Sequence, residues 1–199
     1  RKVRSRAVVA GILSLEDAAK VVALRSQALK ALSGHGGMLS IAEPVERVKG
    51  RLARVQASSP FDNRLSEAVT VAAVNGPNAT VVSGEAEALE ALLAAVQADG
   101  GRARMLPVDY ASHGPQVDQL KAEIESLLAG ITPQPAQIPM ISAMSGEWLG
   151  GPEADAGYWY ASLRAPVHFA EAVQFLADAG YGVWIETSPH PVLTTSIEP

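Results

Sequence analysis

Gly37-Met38-Leu39-Ser40-Ile41-Ala42-Glu43-Pro44 is the stretch whose reading decides the fold, because a regular series of elements begins there. Met38 to Ala42 reads as a strand. Pro44 to Val55 reads as a helix, with Val45, Val48 and Leu52 recurring on one side. Ala68 to Val74 is a second strand, ending at the turn Asn75-Gly76-Pro77-Asn78, where Asn-Gly supplies positive φ cheaply. Ala79 to Ser83 is a third strand and Glu85 to Ala98 a helix. After Asp99-Gly100-Gly101, Arg102 to Val108 is a fourth strand. The order is β-α-β-β-α-β, that of a split ferredoxin-like unit.

On the N-terminal side of that unit, Val8, Val9, Ile12 and Leu13, then Ala18, Val21, Val22 and Leu24, fall on apolar helical faces. Ser14 caps the second helix, whose first turn carries Glu16 and Asp17, the charge sign that a helix N-terminus favours. Ser33-Gly34-His35-Gly36-Gly37 ends the pattern. On the C-terminal side, Pro115 to Leu128 reads as a helix and Pro139 to Ala143 as a buried strand. An amphipathic helix near Val167 to Ala179 and a strand from Gly182 to Glu186 follow. Pro133, Pro135 and Pro139 mark an extended link. The chain is therefore expected to be α/β, with residues 1–36 and 109–199 forming a larger unit and 37–108 a smaller one.

Composition excludes several function classes. With 199 residues, 48% of them hydrophobic, and a net charge of only -5, the chain can bury a core and is not a disordered or nucleic-acid-binding tail. It has no cysteine, which removes disulfides, thiolate metal sites and cysteine nucleophiles and fits a reducing, cytoplasmic setting. Leu89-Glu90-Ala91-Leu92-Leu93-Ala94-Ala95-Val96 is too short to cross a bilayer, so no membrane partner is expected. The basic cluster of Arg1, Lys2, Arg4 and Arg6 has no interleaved aromatics and reads as a frayed end. No pair of histidines or acids has metal-ligand spacing, and no metal is expected.

Pro107-Val108-Asp109-Tyr110-Ala111-Ser112-His113-Gly114-Pro115 delivers a histidine from an apolar strand into a Gly-Pro turn. A neutral imidazole at a sheet rim can take a proton from a nucleophile and return it to a leaving group. The same residues are equally compatible with a surface-turn histidine. Arg25 lies in a helix lined by Val21, Val22, Ala23 and Leu24, where its charge needs a partner or water; Glu16 or Asp17 would serve. His35 and His168 have no motif around them and read as surface residues. Tyr158-Trp159-Tyr160 precedes Leu163, Pro166, Val167 and Phe169 at spacings suited to packing a helix on a sheet, with Arg164 anchoring the same corner.

Read together, Ala7 to Ala19, Val22 to Ser26, Asn75-Gly76-Pro77, Val108 to His113, Tyr158 to Tyr160, Leu163 to Val167 and Glu186 to Leu193 resemble the acyltransferase domain of modular type I polyketide synthases. This family is related to the malonyl-CoA:carrier-protein transacylases. The resemblance implies a hydrolase-like large subdomain with a parallel sheet, into which the ferredoxin-like unit is inserted. It implies transfer of a methylmalonyl group from coenzyme A to a serine and then to the phosphopantetheine thiol of an acyl carrier protein. No bound cofactor is implied, and ketosynthase and linker segments would be neighbours.

By the same resemblance His113 is the general base and Arg25 binds the free carboxylate of the extender, a task suited to a planar guanidinium fork. Tyr110 and Ser112, within Tyr-Ala-Ser-His, accompany methylmalonyl choice, since a serine leaves room beside the base for a methyl group. Asn75, Ser188 and His190 support the cleft, with a carbonyl of Ser188 to Pro191 expected to fix the tautomer of His113. One departure is large: the family's Gly-His-Ser-x-Gly elbow precedes the helix that starts near Ala7, and Arg1 to Arg6 do not match it. The nucleophile is therefore expected outside these residues, Ser5 lacking the flanking glycines. A fold retained only for scaffolding or carrier docking is the alternative.

Overall fold

A computed structural model describes residues 2–58, 68–188 and 190–197. Two helices open the chain, α1 (Lys2–Val9) and α2 (Leu15–Ala28). The Ser14 hydroxyl accepts from the Asp17 N–H at 3.0 Å, so the expected cap forms. The series that begins at Gly37 follows as β1 (Gly37–Ile41), α3 (Val45–Ser58), β2 (Val69–Gly76), β3 (Ala79–Gly84), α4 (Ala86–Ala98) and β4 (Ala103–Met105). Beyond it come a 3-10 turn (Pro115–Leu120), α5 (Lys121–Leu128), α6 (Ala156–Arg164), β5 (Val167–His168), α7 (Phe169–Asp178) and a last 3-10 turn (Thr194–Ser196).

The five strands form one sheet in the order β4-β1-β3-β2-β5. The first four pair antiparallel, and β5 joins the β2 edge in parallel through Ala73 with Val167 and Val74 with His168. Side chains alternate across a strand, so one face carries Leu39, Ile41 and Val82, all fully buried against Val48 of α3 and Leu89, Leu92 and Val96 of α4. A guanidinium closes one end of this core: Arg51 is fixed bidentately by Glu43 and also held by Asp99. The opposite face carries Met38, Ser83 and Thr70 in one cross-strand row, since Ser83 stands opposite both of the others. A separate core, centred on Ile12, Val21, Leu32, Ile124 and Trp159, joins α1, α2, α5 and α6.

Several sequence expectations change. Pro139 to Ala143 and Gly182 to Glu186 are not ladder strands. Ile141 makes a single bridge to Trp148, and 182–186 joins no ladder among the described residues. A strand is stable only when another supplies hydrogen bonds along it. Pro139 to Ala143 has two such bonds, from the Ser142 N–H to the Glu147 carbonyl and from the Leu149 N–H to the Met140 carbonyl, and no described segment pairs with 182–186. The parallel sheet expected for the large unit is accordingly absent from the described residues. Arg102 to Val108 pairs only over Ala103–Met105, stopping before Pro107, which has no N–H to donate. At the hairpin, Asn75 and Gly76 still belong to β2, with irregular register there, and the turn is Pro77-Asn78. Gly76 does not have positive φ; it is needed because a Cβ there would lie 2.8 Å from the Ser196 carbonyl oxygen. Trp159 packs among helices instead of on the sheet.

Candidate active site

His113 lies not at a strand exit but in the loop between β4 and the turn at Pro115, and that loop is fastened from two sides. On one side the glycines around His35 allow close approach: Gly34 donates to the Asp109 carbonyl, His35 bridges Tyr110, and the Ser33 hydroxyl meets the Asp109 carboxylate. Gly36 has φ +103, and a Cβ on it would fall 2.5 Å from the Gly84 carbonyl oxygen. Only glycine suits both the backbone conformation and the space.

On the other side is the end of α6. His113 donates its N–H to the Leu163 carbonyl at 2.9 Å, and its Nδ1 lies 2.7 Å from the Ala165 carbonyl oxygen. Ala165 precedes Pro166, which disfavours helix at Ala165; that residue is extended, with φ -75 and ψ 152, and turns its carbonyl out of the helical ladder. His113 itself has φ +59, the only non-glycine among the described residues in the left-handed region. That conformation costs about 1–2 kcal/mol for a residue with a Cβ, and it is held by the contacts on either side.

Those contacts determine the chemistry of the ring. Burial pushes the imidazole below its ordinary value of 6.5; the Ala165 hydrogen bond opposes this and the charge of Arg25 reinforces it. The ring is then neutral at neutral pH. Since a carbonyl can only accept, Nδ1 carries the proton and Nε2 presents its lone pair, the tautomer that a general base needs. No hydrogen bond occupies Nε2 among the described residues.

Arg25 reaches the same corner. Its Nη1 donates to the Trp159 carbonyl at 3.1 Å and the Ser162 hydroxyl at 3.0 Å, not to Glu16 or Asp17. Lys20 takes both of those carboxylates, at 3.0 and 3.4 Å. Guanidinium and imidazole thus converge on the C-terminal half of α6. Trp159 is fully buried, and Tyr158 meets it edge to face at 5.2 Å while bonding Ser142 through its hydroxyl. Tyr160 and Arg164 both grip Asp118, which secures the turn after His113.

Ser112 is 6% exposed, and its hydroxyl lies 3.3 Å from the Met38 sulfur, so the space that a small residue leaves beside the base abuts a flexible thioether. Tyr110 packs against the helical core. The loop expected to fix the tautomer does not: Ala165 does. Ser188 donates instead to the carbonyl of His190, His190 is exposed, and Pro189 lies outside the described residues. Glu186 organises that loop, its Oε2 accepting from the N–H groups of Val192, Leu193 and Thr194 at 2.9, 2.9 and 3.1 Å. Among the described residues no hydrogen bond joins Asn75 to His113, and no group of acids or histidines could hold a metal ion. Sequence reasoning passed over Ala165 and Glu186; the Ala165-Pro166 pair was the available signal for the first.

The arrangement is a neutral imidazole with a backbone-fixed tautomer beside a guanidinium on an α/β frame. The family model for the acyl transferase domain matches residues 4–199, and the chain belongs to the acyltransferase domains of modular polyketide synthases. It is 49% identical to the pikromycin polyketide synthase component PikAII of Streptomyces venezuelae and 48% to polyketide synthase GfsE of Streptomyces halstedii. Each match covers 96% of this chain and 5% of the relative. The acyltransferase domain from module 8 of the salinomycin polyketide synthase superposes with a TM-score of 0.88 at 49% identity, over 96% of this chain and 43% of that one. A loading acyltransferase from the avermectin synthase gives 0.87 at 42% identity, over 96% and 58%. The chain therefore spans a small part of the curated synthases it matches and about half the length of these solved structures.

Proposed function

We propose that this chain supplies the base and the carboxylate-binding half of an acyltransferase that moves a methylmalonyl extender from coenzyme A to an acyl carrier protein. The nucleophilic serine comes from chain outside these 199 residues, whose sequence contains no Gly-His-Ser-x-Gly. Residues 37–108 form the ferredoxin-like unit inserted into the larger one. His113 Nε2 takes the serine proton as the serine oxygen attacks the thioester carbonyl. The tetrahedral intermediate then collapses, breaking the C–S bond, and the proton passes to the departing coenzyme A thiolate. The phosphopantetheine thiol repeats the sequence in reverse, its proton going to Nε2 and thence to the serine oxygen. Arg25 pairs with the extender's free carboxylate, and Ser112 leaves room for its C2 methyl.

The observation that carries this reading is the Nδ1 contact to Ala165, because it leaves Nε2 unprotonated within the electrostatic reach of Arg25. The test joins this chain to an upstream segment bearing Gly-His-Ser-x-Gly and compares methylmalonyl-CoA with propionyl-CoA, which lacks the free carboxylate. Arg25→Ala is expected to slow transfer of the first by about 10- to 100-fold, the worth of a charge-assisted hydrogen bond, and to leave the second unchanged. Equal losses for both would refute the carboxylate role. Carrier-protein binding without any transfer would favour the scaffold alternative.

A further inference from the structure

The row Met38, Ser83 and Thr70 runs across β1, β3 and β2 on the sheet face opposite α3 and α4, and the site loop lies along it. Ser112 sits on Met38, at 3.3 Å from hydroxyl to sulfur. The His113 carbonyl accepts from the Thr70 hydroxyl at 3.4 Å. Gly114, which is buried, rests on the hydroxyl pair: a Cβ added to it would lie 2.9 Å from Thr70 Oγ1, 3.4 Å from Ser83 Oγ and 2.8 Å from Gln116 Oε1. The backbone of Gly114, at φ -155 and ψ 177, is extended and open to any residue. Glycine is required there for space.

Ser83 is fully buried, and among the described residues neither its hydroxyl nor Gln116 Oε1 has a hydrogen-bond partner. Polar side chains are seldom left so inside a core of their own choosing. Here they lie against Gly114, the neighbour of His113, which is the one non-glycine among the described residues at left-handed φ. The two bonds to Leu163 and Ala165 act on the amide and ring of His113, and among the described residues no hydrogen bond from α6 reaches its carbonyl. That side is held by the sheet.

We infer that Thr70 and Gly114 are positioning residues: the small sheet's Thr70–Ser83 pair seats the Gly114 backbone and thereby sets where the His113 imidazole points. The inference deepens the proposed function and rests on His113 being the base. It ties the aim of that base to the register of a sheet whose own core lies on the far side. Shifting β2 against β3 would move the imidazole without touching α6.

The test is an NMR titration of the His113 ring in this chain, run on wild type, Gly114→Ala, Gly114→Ala with Thr70→Ala, and Thr70→Val, with thermal melts alongside. The added methyl of Gly114→Ala is expected to lift the loop and expose the ring. Relief of burial, the largest cause of the depression, moves the titration midpoint up toward 6.5, the ordinary value, and outweighs the loss of the Ala165 bond, which holds it up. Removing the Thr70 side chain in the double variant makes room and restores the wild-type midpoint, which a merely structural defect would not do. Thr70→Val keeps the volume and deletes the hydroxyl, giving a smaller shift in the same direction. In the domain joined to its nucleophile segment, Gly114→Ala should lower kcat by about tenfold to a hundredfold, the cost of misplacing a reacting group by about an ångström, with KM little changed. Unaltered titration in Gly114→Ala, or a double variant as displaced as the single one, would overturn the inference. Should Gly114→Ala not fold, Thr70→Val decides: a midpoint identical to wild type overturns the inference and a shifted one sustains it. The titration involves no acyl transfer, so it stands or falls separately from the proposed activity.

Discussion

Val81-Val82-Ser83 and Val183-Trp184-Ile185 are both short runs of strand-forming side chains, but they end in opposite states. The first is the middle of β3, paired on both sides, with Val82 fully buried. The second joins no ladder among the described residues, and Val183 and Ile185 are 82% and 83% exposed. Local propensity is the same; what differs is a neighbour. Beside the unpaired run lies a groove of about 620 Å³ lined by Val9, Ile138, Met140, Ile141, Trp148 and Tyr181 among others. It is fastened mainly by Trp148, which meets Phe175 and Tyr181 at 5.5 and 6.5 Å. The sheet is thus a completed structure, and residues 182–186 are chain without a ladder, pinned at points.

The largest expected contrast is in amide exchange. Residues in β1 and β3 should be protected to the level of global unfolding and residues 182–186 hardly at all, a difference on the order of a thousandfold or more. Equal protection measured by mass spectrometry would break the comparison. Next comes the charge inside the sheet unit. Arg51, 6% exposed, is held by Glu43 and Asp99, so Arg51→Ala strands a buried carboxylate and should cost about 3–5 kcal/mol in urea unfolding. The more exposed Arg164–Asp118 pair should cost about 0–1 kcal/mol when Arg164 is replaced by Ala. In the apolar set, Leu39→Ala should destabilise by about 2–5 kcal/mol, against about 0.5 kcal/mol or less for Ile185→Ala.

Acid should act on the ordered parts first. The Arg51 hydrogen bonds hold the Glu43 carboxyl below its ordinary 4.5, outweighing burial. Burial would raise Asp17, but the Thr132 N–H, the Ser14 hydroxyl and Lys20 hold it below 3.8. A depressed carboxyl contributes stability above its unfolded value and loses it as pH falls through the folded one, so this loss belongs below about pH 4.5. His113 is depressed too, so the unfolded chain takes up its proton first, and stability should begin to slip as pH drops below 6.5. His113→Gln should flatten that shallow upper step in a pH series of melts and leave the lower one.

The same contrast explains what could be read in advance. The elements from Gly37 to Met105, the Ser14 cap and the helical faces of α1 and α2 were legible because periods of 2 and 3.6 and capping residues are local properties. The strands expected at Pro139 to Ala143 and Gly182 to Glu186 were not decidable that way, since a ladder depends on a second segment. The site divides likewise. His113 and Arg25 stand out by residue type and by family likeness, and they do meet at α6. Which carbonyl would hold Nδ1 depended on how α6 ends against the loop, and Ala165 took the place expected of Ser188 to Pro191. Asn75 reads as a turn residue and lies in an irregular strand end, because the hairpin closes two residues later than Asn-Gly alone suggests.

We propose that His113 works as the base of an acyl transfer from the corner built by α6. The most direct measurement is the single-turnover rate of serine acylation by methylmalonyl-CoA, followed by mass spectrometry, in the domain joined to its Gly-His-Ser-x-Gly segment, with and without His113→Ala. The substitution is expected to slow acylation by about 10²- to 10⁴-fold, the range of a positioned general base. Acylation at the wild-type rate in the variant would contradict it.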